Sequence, residues 1–170
     1  LDGYPGTVGV RSEVFLEYVL DVLGGLSGAG FTSIYILNGH GGNNAPLKEA
    51  AEVSFQTFGC YTAVIHWWIE AADITRDVFG GAGGHGGADE TAAMLAIDPA
   101  LVETRPKSVD PAYRVRPSVN AYPAPSSLLV YGDDAAPISY DKKKAAEFLE
   151  RVAGRIEDII EEIESRWSEL

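Results

Sequence analysis

One stretch constrains the fold of this chain more than any other: an apolar run that ends in a glycine turn carrying a histidine. The run Ile34-Tyr35-Ile36-Leu37 is followed directly by Asn38-Gly39-His40-Gly41-Gly42-Asn43-Asn44. Glycine lets the backbone turn sharply and approach a ligand closely. A strand, a tight turn and a helix in succession are typical of open α/β sheets, which bind ligands outside the carboxyl ends of their strands. The stretch therefore predicts an α/β fold with His40 at a ligand-binding edge.

The hydrophobic pattern around this stretch predicts alternating helices and strands. A helix capped by Ser12 is expected to run to about Leu26, because apolar residues recur there every three or four positions. Phe31 to Leu37 is expected to be a strand buried on both faces of a parallel sheet. A helix from about Ala45 to Phe58 should lead to a second strand, Cys60 to Trp68. This order predicts a βαβ unit with parallel strands.

The rest of the chain predicts further helices around an irregular segment. Residues 69–79 are expected to form a short helix or a lid, and Ala88 to Ile97 a helix that Asp98-Pro99 ends. Residues 103–140 are rich in proline and predict irregular structure, with at most one strand at Leu128 to Tyr131. Asp141 should cap a last helix whose apolar stripe docks on the sheet or on a neighbouring subunit. We expect a single domain over residues 1–170. The apolar stripe consists of Ala145, Phe148, Leu149, Val152, Ile156, Ile159, Ile160, Ile163 and Trp167.

Charge and cysteine content narrow the class of protein. The net charge of -12 argues against a nucleic-acid partner and against an anionic membrane surface, because both require clustered Lys and Arg. The one cysteine, Cys60, excludes an internal disulfide and a cysteine-based zinc site, and it is expected to be a small core residue. No apolar stretch is long enough to span a bilayer. We therefore expect a cytoplasmic enzyme or binding protein that acts on a small molecule.

The histidines are the best candidates for chemistry. His40 and His85 each lie in a glycine-rich loop, and the second loop is Gly80 to Gly87. Imidazole binds Zn, Mn or Fe, and a carboxylate such as Glu90, five residues after His85, can complete such a site. The alternative is that the glycines only make turns and that both histidines are exposed. His66, at the end of the second predicted strand, is expected to be a packing histidine.

Several neighbouring residues are candidates for substrate binding. Trp67 and Trp68 follow a strand end, where they could line a substrate pocket or could simply pack, and both interpretations stay open. Asn38 is a further substrate-binding candidate, although asparagines in such loops more often form turns through their own backbone. Nucleotide binding is the weaker alternative, since the loop lacks a complete G-x-G-x-x-G pattern and no Lys-Ser/Thr pair follows it.

Three motifs resemble the creatininase family (creatinine amidohydrolase and its relatives). They are Pro5-Gly6-Thr7 with Arg11, the block from Ile36 to Asn43, and the block from Gly84 to Thr91. The resemblance implies a three-layer α/β/α fold with a mainly parallel sheet. It also implies metal-dependent hydrolysis of a non-peptide or cyclic amide C–N bond, with a small-molecule amide as substrate, in a homo-oligomer.

The resemblance further assigns roles to individual residues. It implies that His40 and Glu90 are metal ligands and that His85 hydrogen-bonds the substrate or passes a proton to the leaving nitrogen. The cofactor would be a divalent metal (Zn, Mn or Fe), with two ions in the complete family site. Two positions depart from the pattern: many relatives carry Glu where this chain has Ala88, and creatinine-opening members carry an acidic residue where it has Gly42. Creatinine is therefore a poor substrate candidate.

The largest departure from the family concerns its first metal-binding segment. That segment, a Glu-x-His followed by an Asp that bridges two metals, lies upstream of the Pro-Gly-Thr motif in the family and is not found in this chain. The chain is therefore expected to correspond to the C-terminal two-thirds of a member. Alone, it is expected to retain metal weakly or not at all and not to turn over substrate. The alternative hypothesis is a non-catalytic remnant of the fold with a structural or oligomerisation role.

Overall fold

The computed structural model describes residues 8–104 and 134–170, and the chain divides into two compact units. The first unit comprises Val10–Glu70 and Gly154–Leu170. The second comprises Leu1–Gly9 and Ala71–Ala153. The expectation of a single domain over residues 1–170 stays a prediction.

The first unit is built on two parallel strands. Helix α1 (Ser12–Gly28) leads to strand β1 (Ser33–Asn38), a turn of 3-10 helix (Gly41–Asn43) and helix α2 (Asn44–Phe58). Strand β2 (Tyr61–His66) and the short helix α3 (Trp67–Glu70) complete the run. The register pairs Ser33 with Tyr61 at one end of the strands and Asn38 with His66 at the other. The predicted βαβ order is therefore confirmed, and both strands end together at one edge.

Helices cover both faces of this two-stranded sheet. On one face, the Thr62 hydroxyl of β2 donates a hydrogen bond to the Ser54 hydroxyl of α2, over 3.2 Å. On the other face, the Trp167 ring lies 5.2 Å from Tyr61 and 5.6 Å from Tyr35, measured between ring centroids. Alternate residues of a strand point to opposite faces, so these contacts belong to two separate layers. Within this unit the sheet thus lies between helices, as the three-layer prediction requires.

Four local predictions for this unit need comment. Helix α1 begins at Ser12, so the N-cap is Arg11, which makes no side-chain cap hydrogen bond. The predicted Ser12 cap is wrong because Ser12 already has helical geometry.

Strand β2 ends at His66, and the predicted extension to Trp68 is wrong, since an apolar run alone does not separate strand from helix. Burial of β1 on both faces is also wrong, because Leu37 is 59% exposed and most of the strand is only half-buried. Cys60 is a buried core residue, as predicted.

The second unit contains helices α4 (Ala72–Phe79), α5 (Ala88–Ile97) and the first part of α6 (Lys142–Trp167). A turn of 3-10 helix, Pro99–Leu101, follows α5. These helices confirm the predictions for residues 69–79, 88–97 and the C-terminal segment. The predicted strand at residues 128–131 lies outside the described residues. The core of this unit includes Ile74, Phe79, Ala92, Leu95, Phe148 and Val152, all buried.

Helix α6 begins at a side-chain cap, as the sequence predicts. The Asp141 carboxylate accepts hydrogen bonds from the backbone N–H groups of Lys143 and Lys144, at 2.8 and 3.3 Å. These bonds satisfy two of the donors that every helix start leaves unpaired. None of the helices in the described ranges is long and apolar enough to cross a membrane.

Candidate functional site

The carboxyl ends of β1 and β2 place two polar side chains next to each other. Asn38 is the last residue of β1 and His66 the last of β2, and the strand register pairs them. Their side chains are in contact, with Asn38 Nδ2 lying 2.9 Å from His66 Nδ1. Parallel α/β sheets bind ligands at this edge. The first unit therefore has the edge that the sequence predicts as a ligand site.

Asn38 is the centre of a hydrogen-bond network at this edge. Its Nδ2 group also lies 2.9 Å from Asn44 Oδ1, to which it donates. Its Oδ1 atom accepts from the His40 backbone N–H at 3.1 Å and from Asn43 Nδ2 at 3.4 Å. The residue is only 2% exposed, so both ends of its amide are used inside the protein. A direct role of Asn38 in substrate binding stays a prediction, while its contacts show that it organises the loop.

His40 lies in the loop that Asn38 organises. Its backbone is extended, and its carbonyl accepts a hydrogen bond from the Asn43 N–H at 3.0 Å, which closes the turn before α2. The side chain is exposed. The ring lies over Gly42, and a Cβ atom at that position would lie 2.8 Å from His40 Nε2, so a larger residue there would displace the imidazole. The loop therefore holds the imidazole at the surface of the sheet edge, where it is accessible to a metal ion or a substrate.

Trp67 and Trp68 lie directly after His66 at the start of α3. The Trp68 ring lies 5.5 Å from the His66 ring and meets Trp67 edge-on at 6.5 Å, between centroids. Both indoles are half-buried, and a Cβ atom on Gly41 would lie 3.8 Å from Trp68. The indoles therefore both pack and border the His40 loop, and their proposed contact with substrate stays a prediction.

Two cavities border this part of the first unit. One, of about 520 Å³, is lined by His66 and Val64 of β2 and by residues of α2, namely Asn44, Ala45, Lys48 and Ala51. The other, of about 460 Å³, lies between α1 and β1, and most of its lining is apolar. The first cavity includes the histidine of the network described above. It is therefore the more suitable place for a polar ligand.

The second unit positions the other predicted site residues, His85 and Glu90. His85 lies in the turn that precedes α5, and hydrogen bonds within the segment hold that turn. The Gly87 N–H donates to the Gly84 carbonyl at 2.8 Å, and the Gly86 N–H donates to Glu90 Oε2 at 2.6 Å. Gly86 adopts a positive φ of 59°, which glycine allows without strain. Glu90 therefore braces the turn with one oxygen, and its other oxygen can accept from a further group.

Asp89 is the buried carboxylate of the same turn. It is 4% exposed, and its Oδ1 accepts a hydrogen bond from the Gly84 N–H at 3.1 Å. A Cβ atom on Gly83 would collide with the Asp89 carboxylate, so the glycine is required by this close approach. Asp89 and Glu90 accept from different parts of the turn, Asp89 from Gly84 and Glu90 from Gly86. Both carboxylates lie at the N-terminus of α5, where the helix dipole stabilises negative charge.

A pair of charged side chains supports the segment before the His85 turn. Ala82 exchanges two backbone hydrogen bonds of 2.7 Å with Asp134 and Ala136. The Arg76 guanidinium lies 2.8 Å from Asp134 Oδ2, and this hydrogen bond holds the pKa of the Asp134 carboxyl below its usual range. Both charged groups are exposed, so the pair contributes little to stability. It helps to fix the start of the glycine segment that carries His85.

The predicted metal ligands divide between the two units. His40 belongs to the first unit, whereas His85 and Glu90 belong to the second. Within residues 8–104 and 134–170, no three His, Cys, Asp or Glu side chains form a group that could hold a metal ion. The ligand roles of His40 and Glu90 stay predictions.

Comparison of the sequence with models of known protein families identifies the family of this chain. The creatininase (creatinine amidohydrolase) model matches residues 1–160, which is nearly the whole chain. The chain belongs to the creatininase family. This membership confirms the resemblance carried by the NGHGGN block and the block from Gly84 to Thr91.

Solved creatininases share the fold of this chain. A creatinine amidohydrolase structure is 22% identical with a TM-score of 0.76, covering 94% of this chain and 66% of that one. A mutant creatininase of the Zn-Zn type is 20% identical with a TM-score of 0.73, covering 95% of this chain and 67% of that one. A creatininase with Mn is 24% identical with a TM-score of 0.67, covering 95% and 68%. These similarities confirm the predicted α/β fold, and this chain spans about two-thirds of the length of those proteins.

A characterised relative matches a short part of the chain. The 3-dehydro-scyllo-inosose hydrolase of Thermotoga maritima is 46% identical over 39 residues, which are 23% of this chain and 12% of that protein. The match is too short to assign a substrate here.

Sequence reasoning located the histidine loops but missed the link between Asn38 and His66. The sequence predicts Asn38 as a substrate contact and His66 as a packing residue, with no link between them. The available signal was that two neighbouring parallel strands each end in a polar residue, Asn38 and His66.

Proposed function

We propose that this chain is part of an amidohydrolase that cleaves a non-peptide or cyclic amide C–N bond. The observation that carries the proposal is the match of the creatininase model to residues 1–160. The two glycine-rich loops support it, because each presents a histidine beside an ordered turn. Membership in a hydrolase family together with these loops favours an enzyme over a simple binding module.

In this proposal, His85 acts on the substrate as a proton donor or acceptor. The turn that carries it is braced by Glu90 and by backbone bonds, so the imidazole is held on an ordered segment. Transfer of a proton to the leaving nitrogen is the step that an amide C–N cleavage requires, and histidine is suited to it near neutral pH. His40 would take part from its own loop, whose shape Asn38 and Gly42 determine.

We also propose that the complete enzyme depends on a divalent metal, with His40 and Glu90 among its ligands. Such an ion would polarise the amide carbonyl and lower the pKa of a bound water. The Zn-Zn and Mn creatininases support a metal for the family. Because the described residues hold no three-ligand group, further ligands would have to complete the site.

The proposed substrate is a small amide other than creatinine. Gly42 stands where the creatinine-opening pattern has an acidic residue, so that contact is missing here. Trp67 and Trp68 would provide apolar contact surface for a cyclic amide beside the His40 loop. A cytoplasmic homo-oligomer is the proposed state, which size-exclusion chromatography with light scattering would test.

The proposed activity is tested on the complete gene product that carries this chain. Purified protein is incubated with Zn or Mn and a panel of cyclic and linear non-peptide amides, and amine release is measured. We expect turnover of at least one amide and a loss of about 100-fold or more in His85→Ala, since general acid–base groups contribute about 10² to 10⁴. Glu90→Gln should also lose activity, whereas the exposed control Glu150→Gln should retain it. Full activity in His85→Ala would overturn the assigned role.

The second candidate is a non-catalytic member that keeps the fold for assembly. The shared fold with solved creatininases is the observation behind it, because such a role would need the fold and no metal site. Elemental analysis of the complete protein separates the candidates. Stoichiometric metal that is lost on His40→Ala supports the enzyme, and a folded protein without metal and without turnover supports the non-catalytic role.

A further inference from the structure

We propose that Asn38 is a positioning residue that fixes His66 as the neutral tautomer with its proton on Nε2. His66 would then be a hydrogen-bond donor in the cavity between β2 and α2. The proposal goes beyond the hydrolase function and does not depend on it. It gives His66, which the sequence suggests is only a packing residue, a defined chemical state at the sheet edge.

The first step concerns the orientation of the Asn38 amide. The backbone N–H of His40 lies 3.1 Å from Asn38 Oδ1, and a backbone N–H can only donate. The atom that faces it must therefore be the amide oxygen. Amide oxygen and nitrogen are often hard to distinguish, but this contact fixes which is which.

The second step concerns the proton on His66. Because Asn38 Oδ1 faces the His40 N–H, its NH2 group faces both Asn44 Oδ1 and His66 Nδ1, each at 2.9 Å. An NH2 group donates, so His66 Nδ1 has to accept through a lone pair. A neutral imidazole with an acceptor at Nδ1 carries its proton at Nε2. An imidazolium would instead direct an N–H group at the Asn38 NH2.

The third step concerns burial. Asn38 is 2% exposed, so water does not readily replace a lost partner. If the His66 ring were rotated to present a carbon to Asn38, a buried N–H group would be left unsatisfied, which is costly. The Trp68 ring, 5.5 Å from the His66 ring, also restricts that rotation. The observed ring orientation is thus the one that satisfies the buried amide.

The consequence is that one side of the cavity between β2 and α2 presents hydrogen-bond donors. The cavity of about 520 Å³ is lined by His66 and Lys48 together with Asn44 and three apolar residues. Lys48 is a donor only, and His66 in the proposed tautomer has a donor at Nε2. The ligand group that fits two such donors is an oxygen acceptor, either a carbonyl or a carboxylate.

The tautomer is read directly by NMR on protein labelled with ¹⁵N-histidine, at a pH where the ring is neutral. His66→Asn assigns the His66 signals among the three histidines. We expect a protonated Nε2 and an unprotonated Nδ1, with no detectable Nδ1–H form. In Asn38→Asp the carboxylate can only accept, so the proton should move to Nδ1. Asn43→Ala, which removes only the weakest contact of Asn38, should leave the tautomer unchanged.

Two results would overturn the proposal: a wild-type His66 protonated at Nδ1, or an unchanged tautomer in folded Asn38→Asp. A second measurement covers the case in which Asn38→Asp does not fold. His66→Asn supplies an oxygen acceptor near the Nδ1 position, whereas His66→Ala supplies none. We expect the thermal midpoint of His66→Asn to lie clearly above that of His66→Ala. Equal midpoints would contradict the acceptor role of Nδ1.

Discussion

At the residue scale, the candidate site depends on side chains that position the histidines as much as on the histidines themselves. Asn38 connects the end of β1, the end of β2 and the His40 loop through one buried amide. A fully satisfied buried polar network specifies one arrangement of its members, and a partly broken one is costly. The position of the His40 loop is therefore sensitive to changes at a residue outside the predicted catalytic set.

Removal of the Asn38 amide should destabilise the first unit. Asn38→Ala leaves the His40 N–H, the Asn44 side chain and His66 Nδ1 without their partner. We expect a loss of about 2–4 kcal/mol in the free energy of unfolding, measured by urea denaturation. Asn43→Ala is the matched control, since it loses one contact of 3.4 Å, and should cost less than about 1 kcal/mol. Equal losses in both variants would contradict the central role of Asn38.

Two neighbouring glycines provide a test of the His40 position. A Cβ atom on Gly42 would meet His40 Nε2 at 2.8 Å, whereas one on Gly41 would meet Trp68 at an ordinary 3.8 Å. Gly42→Ala should therefore displace the imidazole, shift its NMR signals and lower any turnover of the complete protein by about 10- to 100-fold. Gly41→Ala should leave the His40 signals close to wild type. Larger changes in Gly41→Ala than in Gly42→Ala would show that the loop is arranged differently.

At the element scale, helix α6 depends on its cap and on one buried ring. The Asp141 carboxylate accepts from the Lys143 and Lys144 backbone, and these bonds hold its pKa below the usual range. Further along the helix, the Phe148 ring is fully buried and lies 5.3 Å from the Phe79 ring. The two features stabilise the helix in different ways, so they predict different responses to mutation.

The cap predicts a pH-dependent contribution to stability. Since the pKa of Asp141 is lowered by folding, its contribution is present above the pKa of an unfolded Asp, about 3.9, and is lost as the pH falls through the lower folded value. Asp141→Ala should lower the thermal midpoint at pH 7, and the difference from wild type should shrink below about pH 4. Asp158→Ala, in the middle of the same helix, removes no cap and should change the midpoint less. A difference for Asp141→Ala that is constant from pH 7 to pH 3 would contradict the cap.

The buried ring predicts a large loss that does not depend on pH. Phe148→Ala should reduce the free energy of unfolding by about 3–5 kcal/mol, because it removes a buried aromatic ring and leaves a cavity. Phe31→Ala removes a ring that is 56% exposed and should cost less than about 1 kcal/mol. Urea denaturation followed by circular dichroism checks both variants. A small loss in Phe148→Ala would mean that the ring is not part of a packed core.

Much of this element pattern could be predicted from the sequence, and the failures have physical causes. Helices α1, α2, α5 and α6 follow from apolar periodicity and from stop signals such as Asp98-Pro99, and α5 does end before Asp98. The end of β2 could not be placed, since Trp67 continues an apolar run although the backbone turns into a helix there. The predicted full burial of β1 was wrong because burial depends on what packs against each face of the strand, which the apolar run itself does not determine.

The site could be predicted only in part for a similar reason. The glycine-flanked histidines were visible in the sequence, because glycine clusters mark close approaches such as that between Gly42 and His40. The contact between Asn38 and His66 joins residues 28 positions apart. It depends on strand register, which local patterns do not determine.

At the scale of the whole molecule, family membership and fold agree. The creatininase model matches residues 1–160, and solved creatininases share the fold with TM-scores up to 0.76. The chain spans about two-thirds of the length of those proteins. His40 and Glu90 are the two predicted metal ligands, and no group of three possible ligands occurs among the described residues. The proposed hydrolase therefore requires the ligand set to be completed within the whole gene product.

The most direct test of the proposed hydrolase is amide cleavage by the complete gene product, measured together with its metal content. Our account predicts release of amine from a cyclic or linear non-peptide amide, loss of that activity on chelation, and its recovery with Zn or Mn. It also predicts that folded His85→Ala binds metal but does not turn over. A folded, metal-supplied protein that cleaves none of the amides, or that cleaves them equally well without His85, would contradict it.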